Sequence, residues 1–198
     1  MLPMKTAEHI SGTMKGIVLI FLLIFTLPVT NAQSQNGTKE DVIYWHIKAV
    51  LPVAKLLDVN AIDKDGVYHD VKAIQDSYDI SLLSVKALVN GEAIPIKMIV
   101  KENDEYYPVK AIANDGKILD IKAIGEDGEK LDVKGVSRMG SIVEVRAIDK
   151  EHRQYNVISI SPQEEVNHVK GLKMFNEEVE AVIHGIKIFA HVKSLKEY

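Results

Sequence analysis

Leu119–Asp120–Ile121–Lys122–Ala123–Ile124, answered twelve residues later by Leu131–Asp132–Val133–Lys134–Gly135–Val136, decides the fold of this chain. The same phrase reads at His69–Asp70–Val71–Lys72–Ala73–Ile74: a large residue, Asp, a β-branched residue, Lys, Ala, Ile. Anchored on its lysine slot, it recurs at Lys48, Asn60, Lys72, Lys86, Lys97, Lys110, Lys122, Lys134, Arg146, Ile158 and Lys170, mostly in steps of 12 residues. A fixed period of this kind marks a repeat architecture. Between phrases stand short linkers such as Asp63–Lys64–Asp65–Gly66, Asn114–Asp115–Gly116, Glu126–Asp127–Gly128 and Arg138–Met139–Gly140. Asp-Gly between alternating segments signals a β-hairpin.

The charges argue for the loop length. A three-residue loop at Glu126–Asp127–Gly128 sets Lys122 opposite Asp132 and Asp120 opposite Lys134. The same loop at Arg138–Met139–Gly140 sets Asp132 opposite Arg146 and Lys134 opposite Glu144. At Asn114–Asp115–Gly116 it sets Lys110 opposite Asp120, and at Lys64–Asp65–Gly66 it sets Asp58 opposite Lys72. A two-residue loop mixes the faces, because a one-residue slip turns every side chain over. The Asp-x-Lys phrase is therefore expected to form a wet cross-strand ladder worth about 0.2–1 kcal/mol per pair. The dry face collects Leu57, Val59 and Ala61, then Leu83, Val85 and Ala87, and so on through Val143, Val145 and Ala147. Burial of each large side chain contributes about 1.5–3 kcal/mol, so this face is expected to hold the sheet.

The fold class is all-β: an antiparallel meander of about 11–13 short strands, curled into a barrel-like or two-sheet body. Pro95 and Pro108 take the Asp slot in successive units and are expected on edge strands, since proline donates no ladder hydrogen bond. The acidic interruption Val100–Tyr107 reads as a seam. The tail 173–198 is irregular, with two degenerate phrases, Val182–Ile183–His184–Gly185–Ile186 and His191–Val192–Lys193–Ser194–Leu195.

Ahead of the repeats, Lys15, the apolar run Ile17–Leu27 and Thr30–Asn31–Ala32 have the layout of a secretory signal peptide. Residues 1–32 are expected to be removed, 33–41 to form a disordered leader, and 42–198 to be one β-repeat domain. The apolar run falls short of the roughly 20 residues of a spanning helix, so no stable membrane span is expected after cleavage. Without Lys5, Lys15 and Glu8 the net charge moves from −4 to −5, with signs interspersed. That balance argues against nucleic acid, which calls for a basic patch. The chain has no cysteine, so disulfides and thiol chemistry are excluded. An exported domain without disulfides suits a bacterial envelope or its exterior.

Candidate chemistry is sparse. His184, His191 and His46 are weak metal candidates; no pair has the spacing of a zinc-binding helix. Lys72, Lys122, Lys134 and Tyr106 form a possible interaction surface, although each lysine is expected to face an acid. Asp63–Lys64–Asp65–Gly66 opens like a calcium loop but turns at once into a strand. No nucleophile elbow or phosphate-cradling loop occurs. The many carboxylates repeat with the architecture, whereas a catalytic pair stands apart by its environment. No enzyme and no cofactor are expected.

The phrase, with Trp45–His46–Ile47–Lys48–Ala49–Val50 and the signal end Asn31–Ala32–Gln33, resembles a family of uncharacterised exported proteins of marine Bacteroidota built from Val-Lys-Ala-Ile units. The likeness covers residues 42–175 and implies no activity or ligand. The expected function is a non-catalytic exported β-repeat protein that presents a surface to an envelope protein or polymer. The alternative is a barrel that holds a small ligand or a metal in its interior. Any specific site is expected where the repeat fails, at the seam or in the tail.

Overall fold

The structure, a computed structural model, describes residues 41–197. The expected signal peptide and nearly all of the expected leader lie outside the described residues. Thirteen strands follow one another: β1 (Ile43–Leu51), β2 (Lys55–Ile62), β3 (Tyr68–Gln75), β4 (Leu82–Val89), β5 (Glu92–Ile99), β6 (Tyr107–Ile112), β7 (Ile118–Ile124), β8 (Lys130–Met139), β9 (Ile142–Ile148), β10 (Gln154–Ile160), β11 (Val166–Leu172), β12 (Ala181–Ile183) and β13 (Ile186–Leu195). A 3-10 turn at Pro52–Ala54 links β1 to β2. Each strand alternates as its phrase dictates. In β7, Leu119, Ile121 and Ala123 are buried while Asp120 and Lys122 face outward. All pairings are antiparallel, and the sheet closes on itself as a twelve-strand barrel with β12 appended to β13.

The closure has an unusual connectivity. Hairpins stay zipped for only a few residue pairs, and the two strands then splay around a third. Lys48 stands opposite Asp58, Asn60 opposite Asp70, and Lys72 opposite His46, so β1, β2 and β3 meet in a triangle. β6, β7 and β8 meet through Lys110 opposite Asp120, Lys122 opposite Asp132, and Lys134 opposite Pro108. β9, β10 and β11 meet through Arg146 opposite Asn156, Ile158 opposite His168, and Lys170 opposite Glu144. β4, β5 and β13 meet through Lys86 opposite Pro95, Lys97 opposite His191, and Lys193 opposite Ser84. The pairings β1–β10, β2–β7, β3–β4, β5–β6, β8–β9 and β11–β13 then join every triangle to every other once. That is the connectivity of a tetrahedron, with one triangle of strands at each of its four vertices.

Several expected pairs are corrected by this splaying. The three-residue loops at Lys64–Asp65–Gly66, Asn114–Asp115–Gly116 and Glu126–Asp127–Gly128 do form, each glycine at a φ of +80° or +88° and bonded to the carbonyl three residues back. Lys122 faces Asp132 and Lys110 faces Asp120. Asp58, however, faces Lys48 rather than Lys72, and Lys134 faces Pro108 rather than Asp120, because the third strand of each triangle has intervened. Between β8 and β9 the turn tightens to Gly140–Ser141, and the register shifts between Gly135 and Arg138. Lys134 therefore opposes Arg146, and Asp132 opposes Ile148.

The same geometry accounts for the prolines and the closing isoleucines. Pro95 sits where β5 passes from β4 to β13, and Pro108 where β6 passes from β8 to β7. Neither lies on an edge; each occupies a break in the ladder where a missing N–H is tolerated. Across the links between triangles the Ile slot lies opposite the Asp slot, as in Ile124–Asp58, Ile62–Asp120 and Ile148–Asp132. The Ile thus covers the outer ions with hydrocarbon.

Inside, the large, β-branched and Ala slots of the phrases supply one core that includes Trp45, Leu119, Val145 and Val157. The Trp45 indole N–H donates to the Gln75 amide oxygen at 2.8 Å. In one repeat a large side chain, Met98, stands in the Ala slot and is fully buried. Two other repeats give way to it, carrying Gly135 and Gly171 in that slot. A Cβ on Gly171 would lie 2.5 Å from the Met98 sulfur, and one on Gly135 would lie 2.9 Å from it. Interiors packed to crystal density feel such volumes. Gly171→Ala is expected to cost about 1–3 kcal/mol by overpacking. Met98→Ala alone should cost about 2–5 kcal/mol. In the Met98→Ala background the Gly171→Ala change should become neutral or stabilising, a coupling that urea denaturation of the double-mutant cycle measures.

Candidate functional site

Because each phrase delivers its Asp and Lys slots to a junction, the four junctions can be compared residue by residue. At β1–β3, Lys48 pairs with Asp58, and Lys72 lies 3.3 Å from Asp70. At β6–β8, Lys110 lies 2.6 Å from Asp120, and Asp132 takes both Lys122 and, at 4.0 Å, Lys134. At β9–β11, Glu144 takes Lys170 at 2.7 Å and Arg146 at 2.9 Å, while Glu197 takes Lys170 at 3.2 Å. Three junctions are therefore laced by opposite charges.

The fourth is not. At β4–β5–β13 the lysine slots hold Lys86, Lys97 and Lys193, and the Asp slots hold Ser84, Pro95 and His191. No carboxylate enters the ring, and none of the three lysines makes an ion pair among the described residues. Lys97 is only 9% exposed, and its ammonium donates to His191 Nδ1 at 3.1 Å. Lys193 donates to the Ser84 hydroxyl at 3.0 Å. Like charges also press in from outside: Lys86 opposes Lys72, Lys97 opposes Lys110, and Lys193 opposes Lys170 across the links. Burial, then the neighbouring Lys193, holds Lys97 below the ordinary lysine range. Burial, then Lys86, does the same to Lys193. Burial and Lys97 likewise depress His191, against the pull of Glu180.

Glu180 stands at the rim. Its side chain is 2% exposed, and one oxygen accepts from the backbone N–H groups of Met174 and Phe175. The other oxygen is buried without a hydrogen-bond partner, 3.8 Å from His191 Nε2. Beside it, Phe189 fills the register shift of β13, stacks on Tyr107 at 4.1 Å and carries the Lys173 ammonium over its ring at 4.1 Å.

The residues singled out from the sequence scatter over this frame. His46 takes part in the β1–β3 junction, where Lys72 donates to its Nδ1 at 3.0 Å. His184 lies in the turn between β12 and β13 and donates to the Asn114 carbonyl at 2.6 Å. His191 belongs to the lysine junction, so the three histidines do not converge. Among the described residues no group of three His, Cys, Asp or Glu side chains is placed to hold a metal ion. Lys72 lies in one junction, Lys122 and Lys134 in another, each next to a carboxylate. Tyr106 accepts from Gln154 at 3.2 Å beside an outer cleft of about 290 Å³.

Ser84, Lys86, Lys97 and Lys193 were not singled out from the sequence, yet the signal was present. Once repeats are stacked slot by slot, Ser84, Pro95 and His191 are among the Asp slots that hold no acid, each ahead of a lysine. What the spacing hid is that the tail strand β13 completes a triangle with β4 and β5, because the insertion after Leu172 breaks the period.

Acid titration separates the two kinds of junction. The Lys110 hydrogen bond holds Asp120 below the usual carboxylate range. Glu144 lies low as well, burial being outweighed by Lys170 and Arg146. Their stabilisation is present above about pH 4 and is lost as the pH falls further. For the depressed His191, stability is full above about pH 6.5 and is lost as the pH falls through its folded-state value. His191→Gln should therefore flatten the urea-midpoint profile just below pH 6.5, and Glu144→Gln only its more acid limb.

A family model described as a family of unknown function (DUF7486) matches residues 41–195. No curated protein and no solved structure matches the chain.

Proposed function

This chain belongs to that family of unknown function, and we propose that it is an exported, non-catalytic binding protein whose contact surface is the junction of β4, β5 and β13. One observation carries the reading: three junctions neutralise their lysines internally, and this one leaves three ammonium groups without a counter-ion among the described residues. Gathering like charges and drying them costs stability, so an uncompensated cluster is a standing demand for an anionic partner. The regular stripe of Lys72, Lys122 and Lys134 makes no such demand, because its field is cancelled within each junction.

The contact from Lys193 to Ser84 is also how a lysine base primes a serine nucleophile. Here Ser84 stands within β4 in two ladders at once, opposite Ile74 and Lys193, rather than on the strained turn of a nucleophile elbow. Ser84 reads better as a ligand donor. The alternative of an interior ligand loses support from a core filled by side chains such as Trp45, Met98 and Leu119. Export rests on the N-terminal segment, with its charged start, apolar run and small-residue cleavage signal.

Two measurements test the proposal. N-terminal sequencing of the protein recovered outside the cytoplasm of its native cells should begin at Gln33; an intact Met1 or Met14 start there would refute cleavage. In vivo crosslinking should capture an anionic partner. Lys97→Glu with Lys193→Glu is expected to abolish that capture, while Lys122→Glu with Lys134→Glu leaves it within about twofold. The opposite pattern would make the regular stripe the functional surface.

A further inference from the structure

The lysine junction has a shape as well as a charge. Its three strands pair with one another in turn, which brings Lys86, Lys97 and Lys193 to one junction, where Lys193 lies near enough to Lys97, and Lys86 to Lys193, for their charges to act on each other. Lysine ammonium groups act as point charges with three rotatable donors, which suits anions whose charge is spread in three dimensions. A flat carboxylate is matched best by the planar fork of arginine, and the ring holds no arginine. The remaining polar groups also donate. Ser84 accepts from Lys193 and keeps its own O–H free to donate. His191 accepts on Nδ1 from Lys97, which fixes its proton on Nε2. No carboxylate stands in any of the six slots to repel an oxyanion.

Resting on the binding function proposed above, we propose that this junction receives one tetrahedral oxyanion, a phosphate or sulfate group. Lys86, Lys97 and Lys193 neutralise it, and Ser84 adds a neutral hydrogen bond. The chemistry is common to a free ion and to an ester group carried on a polymer. Pro95 contributes by what it lacks: in the slot where Asp58, Asp70, Asp120, Asp132 and Glu144 place an acid, it adds neither charge nor an N–H. Glu180, one residue layer back and bonded to two amides, balances His191 from behind without entering the ring.

The test follows thermal unfolding of the full chain against inorganic phosphate and inorganic sulfate, with sodium chloride at matched ionic strength as the control. A saturable rise in Tm of about 3–5 °C over chloride is expected once the oxyanion exceeds its Kd tenfold. Lys97→Gln with Lys193→Gln should lower oxyanion affinity at least tenfold. In chloride the same variant should unfold no earlier than the parent, since it removes mutual repulsion. Lys122→Gln with Lys134→Gln should leave the oxyanion response unchanged. Equal shifts in chloride and phosphate, or an undiminished response in the Lys97 and Lys193 variant, would overturn the inference. Dextran sulfate set against dextran separates the sources: binding far tighter than inorganic sulfate assigns the group to a polymer, and binding no tighter assigns it to a free ion. If no oxyanion binds while Lys97→Glu with Lys193→Glu still abolishes partner capture, the oxyanion assignment falls and the binding function stands. If capture also survives that reversal, both fall.

Discussion

Every strand of the barrel has to serve three partners of the barrel within six to ten residues, and the rest of the structure follows from that constraint. A strand in an ordinary meander keeps one neighbour along each edge. Here one edge is divided, its first half given to one strand of the triangle and its second half to another. The point of division is the Asp-x-Lys step. It is where hairpins part, where proline is accommodated, and where charged side chains from three directions are brought within reach of one another. The twelve-residue period is thus the length of one strand plus one turn, repeated until four vertices are closed.

Cohesion comes from elsewhere. Exposed or half-exposed ion pairs contribute little each, whereas most phrases bury two or three apolar side chains. A core of this kind tolerates a vertex that electrostatics alone disfavours. The three neutralised vertices form the background, and the fourth departs from it in charge, in solvation and in the origin of its strands. Natural proteins concentrate such departures where they bind or act, at some cost in stability.

Much of the architecture was legible in the residues themselves. Alternation from Leu119 to Ala123 gave the faces, and the Asp-Gly loops gave three correct hairpin registers. Local pattern could not show where a hairpin stops. Asp58 and Lys72 lie symmetrically about Asp65 in the chain, yet β1 intervenes between them, and nothing near Asp65 encodes that. The exchange of volume between Met98, Gly135 and Gly171 was equally hidden, since it joins side chains remote in sequence. For the site, His191 was noticed as a histidine in an irregular tail. Its meaning as the missing acid of a vertex emerged only with Lys97 and Ser84 beside it.

Three vertices are built from strands that follow one another directly along the chain. The fourth is not: the contacts from Lys97 to His191 and from Lys193 to Ser84 span 94 and 109 residues. Local contacts form early and distant ones late, because loop closure has to precede the contacts that reward it. The lysine vertex is therefore the keystone of assembly, set only when the C-terminal strand arrives. A chain cut short on synthesis or clipped near its end lacks β13, and with it the charged ring. Completion of folding and completion of the lysine ring are then one event, so that only the finished molecule presents it.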